Sequence, residues 1–390
     1  MKKNYNFKDK VYVGNVFGIP VYIGLSFLFL VFTLTAIFFF INQSFFIFVL
    51  GFGYINNFYL RFILSFLTAI SLSVIVFIHE LFHAIVAKKF GISVKEIVLT
   101  FIGGYTSLKT RVEQPRVEFA IAMVGPMSTT IIGGACFALC LIFNLFFNMF
   151  FYISIFFSVV GFYSLFLGAL NFLPSFPLDG GAILRSSLTA RHNYANATII
   201  TANVSYIFMI SIAIVGFVIL NLIFLLFAFI IWIGTSQEKT NAITSFLIKN
   251  VRVKDVMNTN LALASELTTI KEFLQLSIKH GYFGCAIVNV HNNSIQKFVT
   301  INDAIKVHSS KRDAMLVRDL IVQPSFIKED ELLLNAMAVI GEQQKDTLFV
   351  TRGNEVIGTL SRSDVLRILQ LRDVAMRTSD SKYVDITTNY

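Results

Sequence analysis

Charged residues are scarce in this 390-residue sequence. Only 14% of the residues are Asp, Glu, Lys or Arg, whereas 55% are hydrophobic and 43 residues are phenylalanine. A soluble globular chain carries about 25% charged residues. The shortage of charge therefore excludes an ordinary soluble protein and favours one embedded in a membrane, and the mean hydropathy of +0.71 agrees.

Cysteine and basic tracts are also rare. Three cysteines are too few for a disulfide framework. Much of the net charge of +9 lies in short segments between apolar runs, where Lys and Arg set membrane topology. Because no Lys/Arg-rich tract is interleaved with aromatic residues, we expect no nucleic-acid partner.

Hydrophobic segments predict the fold class, a polytopic α-helical membrane protein with about six transmembrane helices followed by a soluble α/β domain. A helix needs about 20 apolar residues to cross the hydrocarbon core. Only Asn221 separates the last two segments, so a single long helix over residues 197–233 is the alternative. The predicted spans are residues 21–41, 62–86, 119–143, 149–172, 197–220 and 222–233.

The connections between the spans differ in charge. The N-terminal tail and the connections after the second and fourth spans carry Lys and Arg, whereas residues 42–60 and 144–148 carry no charge. By the positive-inside rule the N-terminus is cytosolic, and six spans return the C-terminus to the cytosol. We therefore expect a multi-pass protein of the cell membrane, surrounded by the lipid bilayer, with both ends cytosolic.

The composition changes at about Ser236. Beyond this point the charge density is ordinary, and apolar runs alternate with helix-like stretches. The predicted domains are a membrane domain (1–235), a linker (236–250), a soluble α/β domain (251–372) and a polar tail (373–390).

The soluble domain contains an internal repeat. The sequence VKDVM at residues 253–257 recurs as VRDLI at residues 317–321. Each copy is followed by a helical stretch and two strands, of which the second ends in Thr or Ser three residues before an Asp. These pairs are Thr300 with Asp303 and Ser361 with Asp364.

The second predicted span contains the sequence His79-Glu80-Leu-Phe-His83, the HExxH pattern. Residues four apart share one face of a helix, so the two histidines can bind one metal ion. Glu80 can reach a metal-bound water as a general base. Two histidines satisfied within a soluble core are the alternative, but ionisable side chains inside an apolar span are costly and indicate function.

Two histidines and a water leave a catalytic zinc one protein ligand short. The sequence NFLPSFPLDGG, between the fourth and fifth spans, supplies a carboxylate at Asp179. Pro174 and Pro177 end the helix, and Gly180 and Gly181 permit a tight backbone path. Irregular backbone at membrane depth is tolerated only where it is buried in protein or lines a wet cavity. The alternative is that Asp179 caps the helix that follows.

The pairing of HELFH with NFLPSFPLDGG resembles the site-2 protease family of intramembrane zinc metalloproteases, over residues 11–235. The resemblance implies one catalytic Zn²⁺ bound by His79, His83 and Asp179, with Glu80 activating water. The expected activity is zinc-dependent hydrolysis of peptide bonds within transmembrane segments, and the expected substrates are single-span membrane proteins.

Further roles follow from the same resemblance. Asn171 is expected to orient or stabilise the scissile carbonyl, which suits a side-chain amide; helix capping or interhelical bonding is the alternative. Residues 96–108 are read as two short strands around Gly103 and Gly104 that present the substrate as an added strand. A plain loop is the alternative for this stretch.

The repeat over residues 251–372 resembles a tandem pair of CBS domains. Such pairs often bind adenine nucleotides, which nominates Thr300, Asp303, Ser361 and Asp364 as ligand residues. An interaction module that forms a homodimer and binds no ligand is the alternative.

Three functions are compatible with these features. The first is an intramembrane protease regulated through its CBS domains. The second is a CBS-regulated transporter or channel, with Glu80 and Asp179 on an ion path, although a transporter does not need two histidines at helical spacing. The third is an inactive scaffold, which the intact glutamate and ligand set argue against.

Overall fold

A computed structural model describes residues 10–379, except residues 46–47, 102, 110–111, 113, 147–149, 289–294, 321 and 344. The first nine residues of the predicted N-terminal tail and the polar tail beyond residue 379 lie outside the described residues. The described residues form two compact units, residues 10–242 and residues 243–379.

The first unit is built from seven described helices and a sheet. Five of the helices have 21 to 32 residues and are apolar enough to cross a membrane. At a rise of about 1.5 Å per residue they reach the roughly 30 Å of the hydrocarbon core. The helices are α1 (Leu25–Phe40), α2 (Phe58–Lys89), α3 (Pro115–Phe146), α4 (Phe151–Asn171), α5 (Asp179–Leu188), α6 (Tyr194–Val218) and α7 (Leu222–Leu247).

The helices lie over the predicted spans, with two differences. The first span is shorter than predicted: α1 has 16 residues and begins at Leu25, because the preceding residues form a strand. The last is longer: α7 continues to Leu247, so most of the predicted linker is helical. The break at Asn221 is present, and Leu220 adopts a left-handed conformation there with φ of 51°. Residues 197–233 are therefore two helices.

Large apolar side chains on the outside of these helices are exposed, as expected of a surface in contact with lipid. On α6 and α7 Phe217 is 72% exposed and Ile223 74% exposed. Inside, small residues bring helices together: a Cβ on Gly133 of α3 would lie 2.8 Å from the backbone nitrogen of Leu165 on α4. Such close backbone approach is typical of membrane helix pairs.

A four-stranded sheet in the order β1-β2-β5-β6 packs against α2. The N-terminal hairpin β1–β2 was not predicted, whereas the predicted pair of strands around Gly103 and Gly104 is confirmed as β5 and β6. Ile19 and Ile97 of the sheet pack against Ala84 of α2, and all three are buried. The strands of this unit are β1 (Lys10–Val16), β2 (Ile19–Gly24), the short pair β3 (Ser44–Phe45) and β4 (Phe48–Val49), β5 (Val94–Thr100) and β6 (Gly103–Leu108).

The second unit consists of two repeats with one order of elements, strand–helix–strand–strand–helix. In each three-stranded sheet the first strand runs parallel to the central strand, and the third strand runs antiparallel to it. The predicted internal repeat is thus structural. The first repeat contains β7 (Ala262–Ser265), α8 (Ile270–His280), β8 (Gly284–Val288), β9 (Ile295–Thr300) and α9 (Ile301–Ile305); the second contains β10 (Phe326–Lys328), α10 (Leu333–Glu342), β11 (Thr347–Arg352), β12 (Glu355–Ser361) and α11 (Arg362–Ser379).

The opening motif of each repeat is buried in the core of the other repeat. Val253, from VKDVM, belongs to the core that contains Leu348 of the second repeat. Val317, from VRDLI, belongs to the core that contains Phe273 of the first repeat. The two repeats therefore exchange segments.

Candidate active site

The two histidines of HExxH are brought together by α2. His79 and His83 lie one helical turn apart on the inner face and are 6% and 7% exposed. Their Nε2 atoms are 3.0 Å apart. The predicted helical spacing is therefore realised, and both ring nitrogens point to the same place.

Asp179 completes the cluster. Its Oδ2 atom lies 3.0 Å from Nε2 of His79 and 3.3 Å from Nε2 of His83. Asp179 is the first residue of α5, whose N-cap is Leu178, and the side chain points at the histidines instead of capping the helix. The capping alternative is therefore wrong.

The loop before α5 needs both glycines because backbone crosses the start of this helix. A Cβ on Gly180 would collide with the carbonyl oxygen of Leu173, and one on Gly181 would lie 2.8 Å from the backbone nitrogen of Phe176. The next helix fastens the same loop: Ser205 Oγ on α6 accepts a hydrogen bond from the Phe176 amide at 2.9 Å. These contacts fix where Asp179 is presented.

The three side chains fit a zinc ion. Two imidazole nitrogens and a carboxylate oxygen converge on one point, and these are the ligand types that zinc prefers in catalytic sites. Zinc binds N and O ligands at about 2.0–2.2 Å in tetrahedral geometry, which separates two ligand atoms by about 3.3 Å. The three atoms on His79, His83 and Asp179 lie 3.0 to 3.3 Å apart.

Two further features favour metal binding. His83 Nδ1 lies 2.6 Å from the carbonyl oxygen of Ile121 on α3, the kind of contact that orients a metal-binding imidazole. Gly125, one turn further along α3, leaves space at the ligand atoms, since a Cβ there would lie 2.8 Å from His79 Nε2 and closer still to His83 Nε2.

The side chain of Glu80, on α2, lies beside this cluster and points towards strand β6. Its Oε2 atom accepts a hydrogen bond of 2.7 Å from the hydroxyl of Thr106. A Cβ on Gly104 would lie 2.6 Å from Glu80 Cγ, so the glycine makes room for the glutamate. Of the predicted substrate-presenting glycines, Gly104 thus contacts the glutamate, and Gly103 begins the strand with φ of 124°.

Asn171 is the last residue of α4 and is half-buried. Within the part of the chain that the structure describes, the side-chain amide of Asn171 makes no hydrogen bond. It lies eight residues before Asp179, at the start of the loop that carries the carboxylate. Its role in the reaction stays a prediction.

The four predicted nucleotide-binding residues bond to each other in pairs. The Thr300 hydroxyl donates to Asp303 Oδ2 at 2.7 Å, and the Ser361 hydroxyl donates to Asp364 Oδ2 at 2.5 Å. In each pair the backbone amide of the Thr or Ser also donates to the carboxylate. Thr300 and Ser361 precede α9 and α11, so each pair forms a capping box.

The supporting roles of three residues were not predicted from the sequence: Gly125, Thr106 and Arg185. Arg185 was counted only as a charge that sets topology, but it is 8% exposed. Its Nε donates to Glu118 of α3 at 2.9 Å and its Nη1 to Glu238 of α7 at 2.7 Å. It thereby ties α5, which begins with Asp179, to two neighbouring helices.

Comparison with known proteins agrees with this geometry. Residues 67–154 and 147–215 match peptidase family M50. A zinc metalloprotease of Methanocaldococcus jannaschii is 28% identical over 365 residues, which are 94% of this chain and 97% of that protein. The solved structure of the site-2 protease from M. jannaschii is similar with 26% identity and a TM-score of 0.41, over 59% of this chain and 95% of that one.

The second unit is similar to the ATP complex of the CBS domain of a bacterial CNNM/CorC family Mg²⁺ transporter, with 14% identity and a TM-score of 0.28, over 34% of this chain and 97% of that one. The two repeats of this unit contain the elements predicted for a tandem CBS pair, a helix followed by two strands after each opening motif.

The residues matched in the first unit include HExxH and Asp179. The membrane unit therefore matches peptidase family M50, and the protein is a multi-pass zinc metalloprotease of the site-2 protease type.

Proposed function

We propose that this protease cuts single-span membrane proteins within their transmembrane segments, with His79, His83 and Asp179 as zinc ligands and Glu80 as the base. The convergence of the three ligand atoms within 3.0 to 3.3 Å, beside a glutamate and between apolar helices, carries the proposal. Ionisable groups at this depth are costly, so their clustering requires a function.

The chemistry follows from the positions of the side chains. When bound, zinc would act as a Lewis acid that polarises the scissile carbonyl and makes a water more acidic. Glu80 takes a proton from the attacking water at its carboxylate and returns it to the leaving amine. The Asn171 amide is proposed to donate a hydrogen bond to the oxygen of the scissile carbonyl as it gains negative charge.

Strand β6 is proposed to present the substrate. It is an edge strand of the four-stranded sheet and runs past Glu80. A transmembrane helix hides its peptide bonds in internal hydrogen bonds, whereas a segment added as a strand at an edge exposes them. Gly103 and Gly104 begin the strand without side chains, which leaves room for the added segment.

The decisive experiment combines zinc analysis of the purified protein with cleavage of a model transmembrane substrate. Asp179→Ala is expected to lose zinc and cleavage together. Glu80→Gln keeps the side chain's shape but not its basicity, so zinc should stay while cleavage falls by a factor on the order of 100 or more. Full zinc content in Asp179→Ala would show that the third ligand is wrong, and wild-type cleavage by Glu80→Gln would remove the general base.

Both ends of the chain are proposed to be cytosolic. Lys88 and Lys89 in the last turn of α2 support this orientation of the second helix. The proposal depends on whether the short helix α1 crosses the membrane. Five crossings instead of six would put the two ends of the chain on opposite sides. Reporters fused before Met1 and after Tyr390 should lie on the same side of the membrane, opposite to a cysteine introduced at the exposed Asn56. The two ends on opposite sides would contradict the six-span topology.

The CBS pair is proposed to bind an adenine nucleotide and to regulate cleavage. Each capping box places a carboxylate at a helix start, and a carboxylate can accept hydrogen bonds from the hydroxyls of a ribose. Calorimetry and cleavage rates with AMP, ADP and ATP, at fixed free zinc, should differ between wild type and Asp364→Ala. Regulation requires unequal affinity for two states of the enzyme. No binding and unchanged rates would leave the pair as an interaction module.

A homodimer through the CBS pair is the proposal for that module. Leu366 and Leu371 on α11 are 59% and 60% exposed in the single chain, and a second copy would cover them. Replacing both by Gln should shift the protein to monomer in sedimentation analysis in detergent. An unchanged oligomeric state in this variant would contradict the proposed interface.

A further inference from the structure

The hydroxyl of Thr106 makes the contact that carries this inference. It lies 2.7 Å from Glu80 Oε2 and 3.0 Å from the backbone carbonyl oxygen of the same residue. Thr106 is on β6 and Glu80 on α2, so the contact joins residues that are 26 positions apart in the chain. Both side chains are half-buried.

The pleat of β6 explains why this position reaches the glutamate. Alternate residues of a strand point to the same face, so positions 104 and 106 both face α2. At position 104 a Cβ would collide with Glu80 Cγ at 2.6 Å, and the residue is glycine. At position 106 the strand supplies a hydroxyl that bonds the carboxylate. One residue makes room for the glutamate and the other holds it.

A hydrogen bond to one oxygen of a carboxylate restricts its rotation. Because Thr106 binds Oε2, the carboxylate plane is fixed and Oε1 is left to accept the proton of the attacking water. A base works only when it lies within hydrogen-bond reach of that proton. A loose glutamate side chain would spend most of its time in other rotamers.

We infer that Thr106 is a positioning residue for the general base, and that β6 therefore has two tasks, to orient Glu80 and to offer the strand edge. The inference rests on the proposed role of Glu80 as base. It predicts that loss of the Thr106 hydroxyl slows the chemical step without loosening zinc or substrate binding.

The test is cleavage kinetics with the full-length enzyme and the model transmembrane substrate. Thr106→Val keeps the β-branched shape but not the hydroxyl, and kcat should fall roughly 10- to 100-fold, as expected for a misplaced catalytic group. KM and zinc content should equal those of wild type. Thr106→Ser restores the hydroxyl and should recover most of kcat.

A matched control is Thr35→Val in α1. The Thr35 hydroxyl is buried, and it donates to the carbonyl oxygen of Val31 in its own helix. This variant removes one buried threonine hydroxyl at a position with no part in the site, so its kcat should equal that of wild type.

Glu80→Gln separates this inference from the proposed function. If adding Thr106→Val does not lower the residual rate of Glu80→Gln any further, the two residues act through one group, as inferred. If Glu80→Gln is inactive but Thr106→Val has wild-type kcat, the inference is overturned and the base remains. Loss of zinc or of folding in Thr106→Val, or a Thr106→Ser variant as slow as Thr106→Val, would also overturn it in favour of a structural role. An active Glu80→Gln would overturn the base itself.

Discussion

The two units bury polar side chains in opposite ways. In the membrane unit, ring nitrogens of His79 and His83 and a carboxylate oxygen of Asp179 converge with separations of 3.0 to 3.3 Å. In the second unit, the hydroxyl of Ser361 donates directly to Asp364. The first arrangement gathers three metal-ligating atoms at one point, whereas in the second the hydroxyl and the carboxylate satisfy each other.

This difference shows what a sequence pattern can establish. HExxH and Asp179 bring three metal-ligating atoms to one point, so the pattern points to a bound ion. The Thr-x-x-Asp and Ser-x-x-Asp pairs satisfy themselves as helix caps. Their repetition is therefore explained by folding, and nucleotide binding needs its own evidence.

The largest expected effect comes from filling the space where the ligand atoms of the membrane unit converge. Gly125→Ala places a methyl group 2.8 Å from His79 Nε2 and closer still to His83 Nε2. The imidazoles must then move. We expect loss of most of the zinc and a fall in cleavage of at least about 100-fold. Zinc analysis and the cleavage assay measure both.

Gly134→Ala is the matched control on the same helix. Nothing lies within 4 Å of a Cβ at this position. Alanine should be neutral or should stabilise α3 by roughly 0.5–1 kcal/mol, because glycine is unfavourable inside a helix. Normal zinc content in Gly125→Ala would show that the zinc ligands do not need the space that Gly125 leaves beside them.

A second prediction concerns a polar cluster of the membrane unit that does satisfy itself. Arg185→Met removes the guanidinium that pairs with the buried Glu118, and breaking a buried ion pair costs about 3–5 kcal/mol. Thermal unfolding in detergent should show the loss of stability. Adding Glu118→Gln should recover part of this stability, because the buried negative charge is then removed. Equal stability of wild type and Arg185→Met would show that the pair contributes nothing to the fold.

The capping boxes should give a smaller effect. Thr300→Ala and Ser361→Ala each remove a cap and are expected to destabilise their repeat by about 1 kcal/mol. Hydrogen exchange of the strand amides in the full-length protein should become about 5-fold faster where it follows opening of the repeat. If neither change alters exchange, the pairs are not important as caps, and a ligand role gains support.

The smallest expected effect concerns Cys285. Burial raises the pKa of this thiol from 9.0 to about 11. At pH below 9 the folded state therefore holds about 100-fold less thiolate than the unfolded state, and thiolate is the reactive form. Maleimide should label Cys285 only on unfolding. Because the folded-state pKa is raised, the thiol's contribution to stability should be lost as the pH rises from about 9 to 11. Rapid labelling of the native protein at pH 7 would contradict its burial.

Local patterns allowed the ligands to be predicted from the sequence. His79 and His83 are neighbours on any helix, and Asp179 follows from the prolines and glycines around it. The first strands could not be recognised, since residues 19–24 are apolar and run directly into α1. Over short apolar runs, periodicity does not separate strand from helix.

Contacts between distant segments account for the other omissions. Thr106, Gly125 and Arg185 matter because of what lies opposite them on another element, and sequence spacing does not contain this information. The extension of α7 has a local cause instead. The polar residues Gln237, Glu238 and Lys239 favour a helix as much as apolar ones do, so the end of hydrophobicity did not mark the end of the helix.

The exchange of Val253 and Val317 between the repeats makes the CBS pair indivisible. Each half lacks part of its own interior, so a fragment limited to residues 258–316 would expose a groove where Val317 belongs. Neither half is therefore expected to fold alone, and we expect the two halves to unfold together.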